Sequence, residues 1–352
     1  MNNYFPIPTE LVFEPINLCN AKCFCCPYSW LGESKEYTSQ KMSHEQIKFL
    51  LNDFSSLLKK YKVAPWTAYI QPWRYSDPLV CPDLEMIFEL ADQNQIEVIL
   101  TTNGVSFTEK NCKIIQKYLH TVRQINISII GYNEKEIKEW MGVSWKVTKA
   151  RLIKVRDNYP KISKKMVIGI KHKTQKVPEE KRRNVVRQLS EVTLGKVKAK
   201  NEWMHNRMSA GDGVWTENKE FPITKTNFVQ GCRMVYGKIL RRLEVMVDGT
   251  AVLCCDDAEK LTNYGNVFEL GIEKVWQNLQ KEHELIYNKQ YSEEKQNLIC
   301  NTCSRASFNW TSKDQDEMIQ EMENEATKTH LQLGKRAMKF DLGVTTFDNK
   351  IL

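Results

Sequence analysis

The sequence predicts an α/β protein: a partial barrel of six strand–helix units, followed by a small α+β domain. Over the first two thirds of the 352 residues, short apolar runs alternate with amphipathic helices, an order typical of parallel strands joined by helices. Right-handed connections would wind six such strands into an open, incomplete barrel. After about residue 210, the pattern changes to a hairpin and one long helix, which indicates a second domain.

Each unit of the predicted barrel combines a short apolar run with a helix that has one apolar face. Its strands are expected at residues 11–13, 68–71, 97–102, 125–130, 166–170 and 196–201. Its helices are expected at residues 44–61, 83–92, 108–119, 147–156 and 178–190. Ser43, with Gln46 three residues later, has the signature of a capping box, and Thr108 is a further N-cap.

The second domain begins after a polar stretch that contains two glycines and a proline. In it, Asp248-Gly249 separates two apolar runs and predicts a hairpin with a type I′ turn. A helix is expected at residues 272–287. The expected division is a barrel domain at 1–212, a second domain at 213–312 and a tail at 313–352.

Composition excludes several classes of protein. Hydrophobic residues make up 41% and aromatic residues 10% of the chain, which is enough for a buried core. No run of about 18 apolar residues occurs, so a membrane-spanning helix is not expected. The first ten residues lack the features of a secretory signal, and we expect a cytoplasmic protein.

Positive charge is concentrated in one block. Residues 146–200 contain 18 Lys and Arg against 4 Asp and Glu, a balance of +14 in a chain of net charge +8. Such a block attracts an acidic partner or nucleic acid. The alternative is that these residues only solvate the outer faces of several helices.

The 11 cysteines form two groups. Four lie between Cys19 and Cys26 and five between Cys232 and Cys303. Disulfides are not maintained in the cytoplasm, so clustered cysteines indicate a metal site or catalysis. Cys81 and Cys112 stand apart and are interpreted as buried apolar side chains.

The first group has the spacing Cys19-x3-Cys23-x2-Cys26, directly after the first predicted strand. Three thiolates hold three irons of a [4Fe–4S] cluster and leave the fourth iron open, whereas an electron-carrying cluster usually has four cysteine ligands. The alternative is a structural zinc knuckle.

This spacing resembles the signature of the radical S-adenosylmethionine (SAM) superfamily. The resemblance implies that Cys19, Cys23 and Cys26 bind a [4Fe–4S] cluster whose open iron binds SAM. It also implies that the reduced cluster cleaves SAM to methionine and a 5′-deoxyadenosyl radical, which removes a hydrogen atom from a substrate.

Other segments resemble the elements with which this family binds SAM. Tyr75-Ser76-Asp77-Pro78 is similar to the family's GGEP stretch after strand two, with both glycines replaced and aspartate in place of glutamate. The ends of strands three and four and the fifth strand are similar to further contact regions. The cofactor contacts implied in this way are Ser76, Asp77, Asn103, Ser128 and Gly169. For Asp77 and Ser128, the alternatives are a turn residue and a strand-end hydroxyl.

The family commonly has an aromatic residue next to adenine, immediately before the third cysteine. This chain has Cys25 there. The resemblance then implies that Phe24 and Tyr28 are the neighbours of adenine.

The second group resembles the twitch form of the SPASM auxiliary-cluster domain. The resemblance implies one further [4Fe–4S] cluster on Cys232, Cys254, Cys300 and Cys303. A four-cysteine zinc site fits the spacing equally well. Cys254 is favoured over Cys255 because it fits the Gly-x4-Cys pattern from Gly249, and adjacent strand residues point to opposite faces. Cys255 is then either a hydrogen-atom donor, as in a radical epimerase, or a buried residue.

Members of this family with a SPASM or twitch domain act on peptides and proteins, and also on aminocyclitols and sugars. The basic block and a wide barrel mouth favour oxidation, cross-linking or epimerisation of a peptide or protein residue. The alternative is a small-molecule dehydrogenase or epimerase. The first strand begins near residue 11, so no leader-binding domain is expected ahead of it. Residues 203–207, after strand six, are candidate substrate contacts.

A flavodoxin or ferredoxin is expected to supply the electron, since the basic block would attract an acidic donor. The non-enzymatic alternative is a metal-dependent nucleic-acid-binding protein. Such a protein interleaves aromatic and basic residues, and Tyr159 is the one aromatic residue in the block. A nucleic-acid partner is therefore disfavoured.

Overall fold

The structure, a computed structural model, describes residues 7–31, 38–172, 177–199, 242–255 and 257–287. These residues form an α/β fold with one sheet, as expected. Its strands are β1 (Glu10–Phe13), β2 (Tyr69–Gln71), β3 (Glu97–Thr102), β4 (Val122–Ile130), β5 (Met166–Lys171), β6 (Lys196–Ala199), β7 (Arg242–Val245) and β8 (Ala251–Val252). None of the helices in these ranges is long and apolar enough to cross a bilayer.

The sheet has the strand order β6-β5-β4-β3-β2-β1-β7-β8. The six predicted barrel strands are parallel neighbours in chain order. Beyond them, β7 pairs parallel to β1, with Glu10 opposite Arg242 and Phe13 opposite Val245. The strands after the predicted linker therefore continue the barrel sheet, and β8 closes this edge antiparallel to β7.

Helices follow most of the strands. They are α1 (Pro27–Leu31), α2 (His44–Lys60), α3 (Leu84–Gln93), α4 (Glu109–Lys117), α5 (Glu134–Met141), α6 (Trp145–Asn158), α7 (Pro160–Lys164), α8 (Glu179–Ser190) and α9 (Val267–Tyr287). Gly271 interrupts α9 with a φ of 75° and a ψ of 161°. The predicted barrel strands and helices are all present, with ends displaced by a few residues.

The local capping signals are confirmed. The Ser43 hydroxyl accepts a hydrogen bond from the Gln46 amide (3.1 Å), and the Gln46 side chain accepts one from the Ser43 amide (2.8 Å). Thr108 caps α4. The sequence analysis missed α5, although Asn133 caps its start and Gly142 ends it in the left-handed conformation, both standard signals.

The predicted type I′ turn at Asp248-Gly249 is wrong. That turn needs a positive φ at both central residues, but the Gly249 amide donates to the Met246 carbonyl (2.9 Å), which makes Val247 and Asp248 the central pair. Neither has a positive φ, whereas Gly249 has one of 89°. The hairpin thus has a three-residue loop in which the glycine follows the turn.

The two faces of the sheet differ in polarity. Alternate residues such as Leu11, Phe13, Ile70 and Leu100 are fully buried in the core with the helices. Residues directly opposite each other on paired strands share a face. On the other face, Glu10 lies between Tyr69 and Arg242, so this face carries charged groups.

Candidate active site

The cysteine loop follows β1 and is fixed by backbone hydrogen bonds. The Cys26 amide donates to the Cys23 carbonyl (2.9 Å), and the Ser29 hydroxyl donates to the same carbonyl (2.7 Å). Cys19, Cys23 and Cys26 are all half-buried. The loop therefore carries three partly accessible cysteines, of which Cys23 and Cys26 belong to one turn.

The end of α5 anchors this loop. The amides of Lys22 and Phe24 donate to the carbonyls of Met141 (2.9 Å) and Trp140 (2.8 Å). These carbonyls belong to the last turn of a helix, where they have no partner within the helix. A helix that the sequence analysis missed thus positions the cysteines.

Asp77 connects the loop after β2 to the end of β3. Its carboxylate accepts hydrogen bonds from the Thr102 hydroxyl (2.7 Å), the Asn103 amide (2.9 Å) and the Leu79 amide (3.0 Å). Burial raises the pKa of this carboxyl, and the hydrogen bonds oppose the increase. Asp77 therefore holds two strand ends together, which is the turn role considered as the alternative to a SAM contact.

Asn103 connects the end of β3 to the cysteine loop. Its side-chain amide donates to the Asn20 side chain (2.6 Å) and lies 3.9 Å from the Cys19 sulfur. Burial, together with the nearby Asp77 carboxylate, raises the pKa of Cys19 to about 11. Because a metal-bound cysteine is a thiolate, metal binding would release this proton.

Two separate features, in the loop after β2 and on β5, leave room for a ligand. The Ser76 hydroxyl is buried and has no hydrogen-bond partner in the described part of the protein. Among the described residues, a Cβ placed on Gly169 would meet only the Ile127 carbonyl oxygen, at 3.9 Å. Ser128 lies opposite Gly169 on the neighbouring strand. A buried hydroxyl and an open backbone position suit a polar cofactor such as SAM.

The two predicted neighbours of adenine lie in different places. Phe24 contacts Trp140, with ring centroids 6.3 Å apart, and Trp140 contacts His172 at 5.0 Å. Tyr28 instead packs, with Cys26, against Tyr75 and Ala258. The sequence analysis missed Trp140 and His172. His172 could have been found from its position directly after the end of β5.

The second cysteine group is described only in part. Cys254 is buried and Cys255 is half-buried. Both follow the end of β8 at Val252, so the strand alternation that favoured Cys254 over Cys255 does not extend to them, and the choice between them stays a prediction. Cys232, Cys300 and Cys303 lie outside the described residues, as do the candidate substrate contacts at 203–207. Their predicted roles stay predictions.

Both cysteine groups lie in segments of the chain that match known families. Residues 13–181 match the radical SAM superfamily, and residues 237–304 match the SPASM iron–sulfur cluster-binding domain. The chain belongs to the radical SAM superfamily. The cofactors of such proteins are [4Fe–4S] clusters, including auxiliary clusters in the SPASM domain, and SAM.

Of three solved structures that resemble this chain, one shares its fold and two are less similar. BtrN in complex with AdoMet (SAM) and 2-DOIA is 16% identical, with a TM-score of 0.53 over 84% of this chain and 93% of that one. SuiB from Streptococcus suis, bound to its precursor peptide SuiA, is 16% identical with a TM-score of 0.47 over 87% of this chain and 72% of that one. The enzyme anSMEcpe, with AdoMet and Cp18Cys peptide, is 13% identical with a TM-score of 0.49 over 93% and 99%. No curated protein sequence matches this chain.

Proposed function

We propose that this radical SAM protein reductively cleaves SAM and abstracts a hydrogen atom from a peptide or protein substrate. One observation carries the cleavage: the Asn103 side chain, just after β3, lies 3.9 Å from the sulfur of Cys19 in the cysteine loop. In the loop after β2, the buried Ser76 hydroxyl has no hydrogen-bond partner among the described residues. When bound, the cluster and SAM supply a carbon-centred radical that attacks unactivated C–H bonds, which no side chain generates alone.

Each residue has a separate task in this proposal. Cys19, Cys23 and Cys26 hold three irons. Asn103 orients the segment around Cys19, and the Ser76 hydroxyl forms a hydrogen bond with the amino-acid end of SAM. The open position at Gly169 would leave space for another part of the cofactor.

The charge on the edge strand supports a peptide substrate that carries acidic groups. Lys196 and Lys198 are exposed and lie opposite Val167 and Gly169, so they share a face with the proposed cofactor site. Among the described residues, β6 pairs only with β5, and an extended peptide can add to a strand edge. The same block also suits an acidic flavodoxin or ferredoxin as the electron donor.

Removal of the three cysteines tests the cleavage. Reconstituted wild-type protein should contain about eight irons and the Cys19, Cys23 and Cys26 triple alanine variant about four. The reduced variant should form no 5′-deoxyadenosine by mass spectrometry. Formation of 5′-deoxyadenosine by this variant would refute the proposal.

Ser76 offers a finer test, because its hydroxyl has no partner within the described protein. Ser76→Ala should weaken SAM binding about 10-fold, the value of one hydrogen bond, and leave stability unchanged. Ser55→Ala is the matched control, since Ser55 has another buried hydroxyl, in α2, without a partner in the described ranges. Equal effects of both variants on SAM binding would show that Ser76 has no specific role.

The substrate class is tested with peptides of matched length, one acidic and one neutral. The acidic peptide should bind more tightly, and binding should weaken when salt is raised from about 50 to about 300 mM. Lys196→Met with Lys198→Met should remove the preference. Turnover of an aminocyclitol or sugar without a peptide would favour the small-molecule alternative. If the product is an epimerised residue, Cys255→Ala should block it, as expected of a hydrogen donor.

A further inference from the structure

Arg74 is a buried cation that joins the loop after β2 to the segment around Cys254. Its side chain is 1% exposed and lies 3.1 Å from the Glu244 carboxylate, which is equally buried. The guanidinium also donates to the carbonyls of Cys254 (2.7 Å) and Asp257 (3.4 Å) and contacts the Met246 sulfur. Burial alone would lower its pKa, but Tyr75, Glu244 and Glu14 raise it overall, so Arg74 stays charged.

The next residue, Tyr75, makes a parallel connection. Its hydroxyl donates a hydrogen bond to the Cys255 carbonyl (2.5 Å). Its ring packs with Cys26 and Tyr28 of the cysteine loop, and the Arg74 guanidinium lies 4.9 Å from the ring centroid. Tyr75 therefore touches both cysteine segments.

The segment that these two residues hold is fixed by its own hydrogen bonds. Asp257 is fully buried. Its carboxylate accepts hydrogen bonds from the amides of Leu261 (2.9 Å) and Thr262 (2.8 Å). A displacement of the Cys254 and Asp257 carbonyls is thus transmitted through the loop to Thr262. If these carbonyls moved away from Arg74 instead, the buried guanidinium would lose its acceptors, which is costly in free energy.

We propose that Arg74 and Tyr75 are positioning residues that couple SAM binding to the segment of Cys254 and Asp257. The inference rests on the proposed function, because Ser76 and Asp77 follow them directly in the chain. A ligand that fixes Ser76 restrains Arg74 and Tyr75, and through them the carbonyls of Cys254 and Cys255. Coupling of this kind is reciprocal, so a conformational change in the segment of Cys254 and Asp257 also alters the affinity for SAM.

Hydrogen exchange on the reconstituted full-length protein tests the coupling. SAM should slow exchange about 10-fold, within the usual range of coupling between sites, in peptides that contain Cys254 and Thr262. Arg74→Lys keeps the charge but loses the planar fork, and Tyr75→Phe loses only the hydroxyl. Each should reduce this protection several-fold, and SAM affinity is measured separately by equilibrium dialysis.

Tyr61→Phe is the matched control, because the Tyr61 hydroxyl also joins the two parts of the chain, through Glu273 at 2.8 Å. It should retain the full protection. If wild-type protein binds SAM without protection of these peptides, the coupling is refuted and the proposed function stands. If it binds no SAM, both fail. Unchanged protection in both Arg74→Lys and Tyr75→Phe would show that these residues do not form the connection.

Discussion

Two of the polar contacts between residues 7–199 and residues 242–287, those of Arg74 and Tyr61, differ in their exposure to water. In the Arg74 contact, the side chains of Arg74 and Glu244 are each 1% exposed. In the Tyr61 contact, the Tyr61 hydroxyl and the Lys60 ammonium both bind Glu273, at 2.8 and 2.7 Å, but the Lys60 side chain is 60% exposed. Each contact thus pairs a cation with a carboxylate, but one pair is buried and the other is exposed to water.

Because of this difference in burial, the two contacts have different roles in the structure. Exposed ion pairs contribute little because water replaces a lost partner. A buried pair gains little overall, yet the loss of one partner leaves an uncompensated charge. The Arg74 contact therefore fixes a geometry close to the cysteines, whereas the Tyr61 contact only adds to the packing of α2 against α9.

The largest effect is expected from Arg74→Met. Glu244 is buried and would lose its closer cation, keeping Arg242 at 3.6 Å, and the free energy of unfolding should fall by about 3–5 kcal/mol. Urea denaturation measures the change. Addition of Glu244→Gln should recover part of it, since it removes one of the two buried carboxyl groups, Glu14 and Glu244, on which Arg74 acts. A double variant as unstable as Arg74→Met would contradict this explanation.

The pH dependence should distinguish the two contacts. Burial raises the pKa of the Glu14 and Glu244 carboxyls, and Arg74 opposes that increase. Without Arg74 both pKa values rise further, so the folded variant binds protons that the unfolded chain has released. The stability deficit of Arg74→Met should therefore shrink as the pH falls from about 8 to about 5. A constant deficit in denaturation curves over this range would exclude the mechanism.

Tyr61→Phe should have the smallest effect, a loss of about 0.5–1.5 kcal/mol for one hydrogen bond. Hydrogen bonds from Lys60 and Tyr61 lower the pKa of Glu273, so their contribution is lost only in acid, as the pH falls below the ordinary value of 4.5. The deficit should thus be constant between about pH 8 and 5. If the loss of stability in Tyr61→Phe also became smaller as the pH fell, as in Arg74→Met, the two contacts would not differ in the way proposed.

The sequence by itself determined the barrel elements and the cysteine loop. The α2 helix was predicted from its apolar periodicity and from the Ser43 and Gln46 capping box, which involve residues close together in the chain. Cys19, Cys23 and Cys26 were predicted from their spacing, and they lie within the segment that matches the radical SAM superfamily. Signals of this kind are local and need no knowledge of the fold.

Only the tertiary structure decided how these elements are connected. The carbonyls of α5 that hold the cysteine loop come from a distant part of the chain, and Arg74 meets Cys254 180 residues away. The pairing of β7 with β1 likewise places Glu244 beside Arg74. Such partners leave no periodic pattern in the sequence. A charge can be buried only where other segments supply its hydrogen-bond acceptors, and these segments are distant in the chain.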